Sequence, residues 1–141
     1  MRTQTRPTAP LPTAALHAMY RIEQALAASE RERIAKVARA LGFRPGWRPR
    51  THLGETATYI NEWTQRELND RFERVGGTVT TRQVERSTSD GSATWTATEI
   101  TLTTEITGVG YIEIVTDWDE ETGGRDLPLM QAIPDATLIA S

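Results

Sequence analysis

The chain has 141 residues, 38% apolar and 25% charged, with a net charge of −3 and no cysteine, which suits one domain of ordinary globular type. Lacking cysteine, it has no disulfide framework, thiolate zinc site or thiol nucleophile, and its two histidines are too few for an all-histidine metal cage. No window approaches eighteen clean apolar residues, so no membrane span is expected. Pro10, Pro12, His17, Arg21 and Glu23 interrupt the N-terminal stretch that a secretory signal needs uninterrupted, which points to the cytoplasm.

The charge is unevenly spread. Residues 1–50 hold ten basic side chains against Glu23, Glu30 and Glu32, whereas residues 107–141 hold seven acidic ones against Arg125 alone. Such polarity fits either an anion-binding N-terminal third or complementary surfaces on one molecule or between copies.

In chain order, residues 1–12 are Thr/Pro-rich without hydrophobic period and read as an extended arm. Leu16, Met19, Ile22 and Leu26 recur at helical spacing after Thr13, a candidate N-cap. Ser29-Glu30-Arg31-Glu32 has the form of a capping box, so a second helix carrying Ile34, Val37, Ala38 and Leu41 on one face is expected to begin there, unless one long helix runs through. Gly42 is placed to end it. The segment Phe43–Arg50, with two prolines and a glycine, is a rigid loop. A further helix is expected from Leu53 to Val75, burying Ile60, Trp63, Leu68, Phe72 and Val75 and stopped by Gly76-Gly77.

Three strands should follow: Thr78–Arg86, Ala93–Ile106 and Tyr111–Trp118, joined by turns at Asp90-Gly91 and Gly108-Val109. Two-residue turns would set Val79, Leu102 and Val115 side by side on the helix-packed face, with Ile100, Ile106 and Tyr111. The outer face would then pair Arg82 with Glu99, align Thr80, Thr101 and Thr116, and strand Trp95, Ile112, Ile114 and Trp118 among polar neighbours. The apolar segment Leu127–Ile133 is a candidate cover for that face. The expected fold is α+β: two to three N-terminal helices on a three-stranded antiparallel meander, with helices over 13–75, sheet over 78–118 and a tail over 119–141.

Arg44, Trp47, Arg48 and Arg50 form an Arg/aromatic loop able to grip an anion or nucleic acid while the indole stacks, the alternative being a core-plugging Trp47 with solvated arginines. Glu32–Gly42 loosely resembles the first helix of a helix-turn-helix unit, and helices followed by a hairpin give the order of a winged helix. The following acidic helix (Glu55, Glu62, Glu67, Asp70, Glu73) and a wing without a cation argue against it. Asp117, Asp119, Glu121 and Asp126 begin like a calcium loop, but the glycine falls one place late and Pro128 stands where a glutamate is needed. Neither a nucleophile elbow nor a P-loop occurs.

The expectation is a non-enzymatic protein-interaction protein without cofactor or metal. It would be a self-assembling subunit or a small accessory or inhibitor protein docking on a larger partner, a make-up shared with small phage- and mobile-element-encoded proteins. The expected partner surface is Trp95, Ile112, Ile114 and Trp118. A nucleic-acid-binding regulator, and a small-molecule pocket lined by Trp63, Phe72 and Tyr111, are the alternatives.

Overall fold

The computed structural model describes residues 12–120 and 125–134. Residues 1–11 of the expected arm and residues 121–124 and 135–141 of the expected tail, Glu121 of the candidate calcium loop among them, lie outside the described residues. The chain divides into two compact units, residues 1–32 and 33–141.

Of the two arrangements open from the sequence, one long helix is the one present: α1 (Thr13–Leu41) runs through without a break. The Ser29–Glu32 box sits inside it, because nothing between Leu26 and Ile34 removes a backbone donor or demands a non-helical φ. In the second unit α1 buries Val37, Ala38 and Leu41. It ends at Gly42, whose φ of 78° is the left-handed cap conformation. The Phe43 N–H donates back to the Ala38 carbonyl at 2.9 Å, closing the last turn.

The expected helix from Leu53 is shorter and starts later. A single 3-10 turn (Thr51–Leu53) is followed by a three-residue strand, β1 (Tyr59–Asn61), and then α2 (Gln65–Val75). The start of α2 is set by a reciprocal cap: Glu67 N–H donates to Thr64 Oγ1 at 3.1 Å, and Thr64 N–H donates to Glu67 Oε1 at 3.0 Å. Trp63 therefore precedes the helix instead of lying on its buried face, and it is 73% exposed.

The sheet contains β1, β2 (Thr78–Ser87), β3 (Thr94–Ile106) and β4 (Gly110–Asp117) in the order β1-β4-β3-β2. The antiparallel meander is there, and β1 extends it by pairing parallel to β4, so the sheet is mixed and four-stranded. The β2–β3 register agrees with the expectation: Val79 faces Leu102 and Arg82 faces Glu99. The β3–β4 register is one residue away from it. Ile106 pairs with Gly110, leaving a three-residue loop, and Leu102 faces Ile114 instead of Val115.

A one-residue shift turns every side chain of a strand to the other face. Ile112 and Ile114, expected on the outer face, are 1% and 0% exposed in the core, while Tyr111, expected inside, is 70% exposed. Thr101 consequently neighbours Val115, and Thr116 faces Ile100.

The core gathers Val37, Leu41, Ile60, Leu68, Ile100, Leu102, Ile112 and Ile114, closed by Leu129, Met130 and Ile133 from around α3 (Pro128–Gln131). The Leu127–Ile133 segment thus covers the helix-side core and not the outer sheet face. Asn69 of α2 fixes it, its Oδ1 accepting the Leu129 N–H at 2.9 Å. Gly77 lets β2 start close against β3, since a Cβ there would lie 2.4 Å from the Thr103 carbonyl oxygen.

Candidate functional site

In the first unit, the described part of α1 carries Leu16, Met19, Tyr20, Ile22 and Leu26, each between 48% and 67% exposed. Most of a helix's stability in a protein comes from packing an amphipathic face on something. Ala15, Met19, Ile22 and Leu26 recur at steps of four, three and four, the spacing of a coiled-coil seam. Ala18 and Ala25 flank that seam and are small enough to let a second helix approach closely. Large exposed apolar groups in register on one helix make this the candidate interaction site.

The residues singled out from the sequence are dispersed. Trp95 is half exposed, across from Arg86 on the sheet. Ile112 and Ile114 are core residues, and Trp118 packs against the core from its edge. These four do not form one surface. Trp63 and Tyr111 are exposed and Phe72 packs against the core, so the expected aromatic pocket is not assembled either.

The Arg/aromatic loop is similarly divided. Trp47 packs on the core and stacks on Phe43, ring centroids 4.7 Å apart. Arg71 lies over the other partner of that stack, 4.4 Å from the Phe43 centroid, and donates to the Leu41 carbonyl at 2.9 Å. Arg44 and Arg48 are exposed. Arg50 is committed to Glu55, donating from Nε to Oε1 at 3.0 Å and from Nη2 to Oε2 at 2.7 Å. Its backbone N–H also donates to Glu55 Oε1, at 2.7 Å, and its Nη2 to the Asn61 carbonyl, at 2.6 Å. Burial pushes the Glu55 carboxyl up, but these bonds and the one from the Asn61 N–H outweigh it and hold the group below its usual range.

A second ionic cluster lies on the outer sheet face. Glu99 is 3% exposed. It accepts from Arg82 Nε and Arg86 Nη2, both at 2.9 Å. Arg86 also holds Asp117, and the hydrogen bonds to Asp117 and then Glu99 raise its pKa further above an already high value. Only the Arg82–Glu99 part of this cluster is legible from strand register; the Arg86 link needs a diagonal reach and the β3–β4 register.

Among the described residues there is no group of three His, Asp or Glu placed to hold a metal ion. No described helix is long and apolar enough to cross a membrane. Compared with protein-family models, with curated proteins and with solved structures, the chain matches none.

Proposed function

We propose that this is a non-enzymatic interaction protein whose first unit associates with a second copy of the chain through α1. The observation that carries the reading is the exposed row Met19, Ile22 and Leu26 on a helix whose first unit offers that row no cover among the described residues.

A second copy suits this row when it runs antiparallel. Ala15 then faces Leu26, and Met19 faces Ile22, giving four apolar layers: two large ones of Met19 and Ile22 at the centre and one of Ala15 and Leu26 at each end. A parallel pair in register would instead stack Ser29 on Ser29 and Arg33 on Arg33 in the continuing seam, and like charges there oppose association.

The chain has no cysteine, so introduced thiols report the pairing without background. Ala15→Cys and Leu26→Cys variants, mixed and oxidised, should form the mixed disulfide, with little homodisulfide from either variant alone. Dominant homodisulfides would replace the antiparallel pair by a parallel one, and no crosslink at any concentration would overturn self-association through α1.

A further inference from the structure

The sheet has two edges, and the chain closes one of them itself. At β1, Tyr59 engages Thr56 through both backbone groups, its carbonyl accepting the Thr56 N–H at 2.9 Å and its own N–H donating back at 3.4 Å. The Asn61 N–H donates to Glu55 Oε2 at 2.8 Å, and the Asn61 carbonyl accepts from Arg50 Nη2 at 2.6 Å.

The edge at β2 has no such closure among the described residues. At its hairpin end the Thr88 N–H donates to the Ala93 carbonyl at 3.0 Å, and in an antiparallel ladder such bonds recur at every second residue. Thr80, Arg82, Val84 and Arg86 therefore bond β3, whereas the N–H and C=O of Val79, Thr81, Gln83 and Glu85 point away from it. Among the described residues these outward groups make no hydrogen bond.

Sheets usually guard such an edge with proline, a bulge, a short strand or outward charges. Here β2 runs ten residues without proline, and its register with β3 is unbroken. Its long side chains all turn inward across the sheet: Arg82 to Glu99, Gln83 to Thr98, Glu85 to Thr96 and Arg86 to Asp117. No described helix packs along it.

Donors and acceptors alternating along an edge match an extended backbone. A second β2 is a poor occupant. Pairing about a two-fold axis at Val84 sets Arg82 against Arg86, and at Arg82, Glu85 or Arg86 it sets a charge against itself. Centred on Thr81 or Gln83, it leaves both arginines without a carboxylate opposite. The neighbour that suits β2 is illustrated by β3, which is Thr-rich and sets Glu99 opposite Arg82. Arg82 spends only Nε on Glu99, so its two Nη groups remain for a carboxylate on the free side. We infer that the free edge of β2 takes up an extended, Thr-rich segment of a partner protein as an antiparallel fifth strand, with an acidic residue opposite Arg82. This site belongs to the second unit and does not use the α1 seam.

The test is a titration of the isotopically labelled full chain with an end-blocked peptide copying Thr96–Thr103, followed by amide spectra. The peptide should move the Val79, Thr81, Gln83 and Glu85 amides saturably, with Kd of about 1 mM or tighter, and slow their hydrogen exchange. A peptide with lysine at the Glu99 position should bind about fivefold more weakly. N-methylation at the Thr98 and Ile100 positions, whose N–H groups would face Gln83 and Thr81, should abolish binding without altering the protein. Gln83→Pro should abolish it too, since it removes an N–H that bonds nothing in the fold, and its spectrum shows whether the fold is kept. No saturable shift, shifts centred away from β2, or equal binding of the lysine or N-methylated peptide would overturn the inference. Slowed exchange of the same amides on concentrating the chain alone would also overturn it, naming a second copy as the occupant.

Discussion

Arg86 grips Asp117 at two points, Nε to Oδ2 at 3.0 Å and Nη2 to Oδ1 at 2.8 Å, while the same Nη2 reaches Glu99 Oε2 at 2.9 Å. One guanidinium on β2 thereby ties β3 and β4 together across the outer sheet face. Its larger effect is on Glu99, a carboxylate 3% exposed, whose removal from water is offset by its two arginine partners.

Replacing Arg86 by methionine keeps much of the stem but leaves Glu99 with Arg82 as its remaining ion-pair partner. The expected loss of stability is about 2 kcal/mol, below the full cost of orphaning a buried charge because Arg82 stays in place. Adding Glu99→Gln to that variant should recover part of the loss. Urea unfolding of the two variants checks this, and a single variant as stable as the parent would contradict it.

Two carboxylates should give opposite pH dependences. Burial raises the Glu62 pKa, and the hydrogen bond and charge of Arg71 only partly offset it. Folded protein then binds this proton more tightly than unfolded protein, so the group's contribution is full below its unfolded value and is lost as pH rises through the folded one. Glu55 is depressed, so its contribution is present above its unfolded value and is lost as pH falls through the folded one. Melting temperatures across acidic to neutral pH should show Glu62→Gln gaining on the parent as pH rises. Glu55→Gln should fall behind the parent over the same interval. Parallel curves for either variant would refute the assignment for that residue.

The strand register has its own test. Ile114→Ala removes fully buried methyl groups from the middle of the core and should cost about 3 kcal/mol. Trp95→Ser, on a half-exposed side chain at the far end of β3, should cost less than about 1 kcal/mol. The reverse ranking in denaturant unfolding would mean that β4 is turned the other way.

That register also shows what could be read in advance. The β2–β3 pairing follows from Asp90-Gly91, because the hairpin closes symmetrically about that dipeptide and the alternation of Val79 and Arg82 matches Leu102 and Glu99. Thr107-Gly108-Val109 admits a two- or a three-residue loop, and the flanking strands do not decide between them, since Ile112, Ile114 and Val115 supply apolar groups to both faces. The structure takes the longer loop. It places Ile112 and Ile114 beneath α2 and α3, where a core needs them.

The helices divide in the same way. Leu68, Phe72 and Val75 were legible by period, but the segment before them was not helix. Thr64 and Glu67 hold the signal for the true start, a capping box directly ahead of Leu68. Thr56, Thr58, Tyr59 and Ile60 hold the β-branched and aromatic signal for β1. The closed edge at β1 was not legible at all, because Arg50 and Glu55 meet Asn61 only once β1 pairs with β4. The α1 stripe was legible as an amphipathic face, but its exposure is a property of the fold.

The solution mass of the full chain, measured by sedimentation equilibrium over a range of concentrations, tests the proposed self-association most directly. The parent should approach twice its sequence mass. Ile22→Glu, which puts a charge in the middle of an exposed seam and leaves the second unit's core untouched, should sediment as a folded monomer. A parent that stays monomeric at all concentrations, or an Ile22→Glu variant that retains the parent's mass, would contradict association through α1.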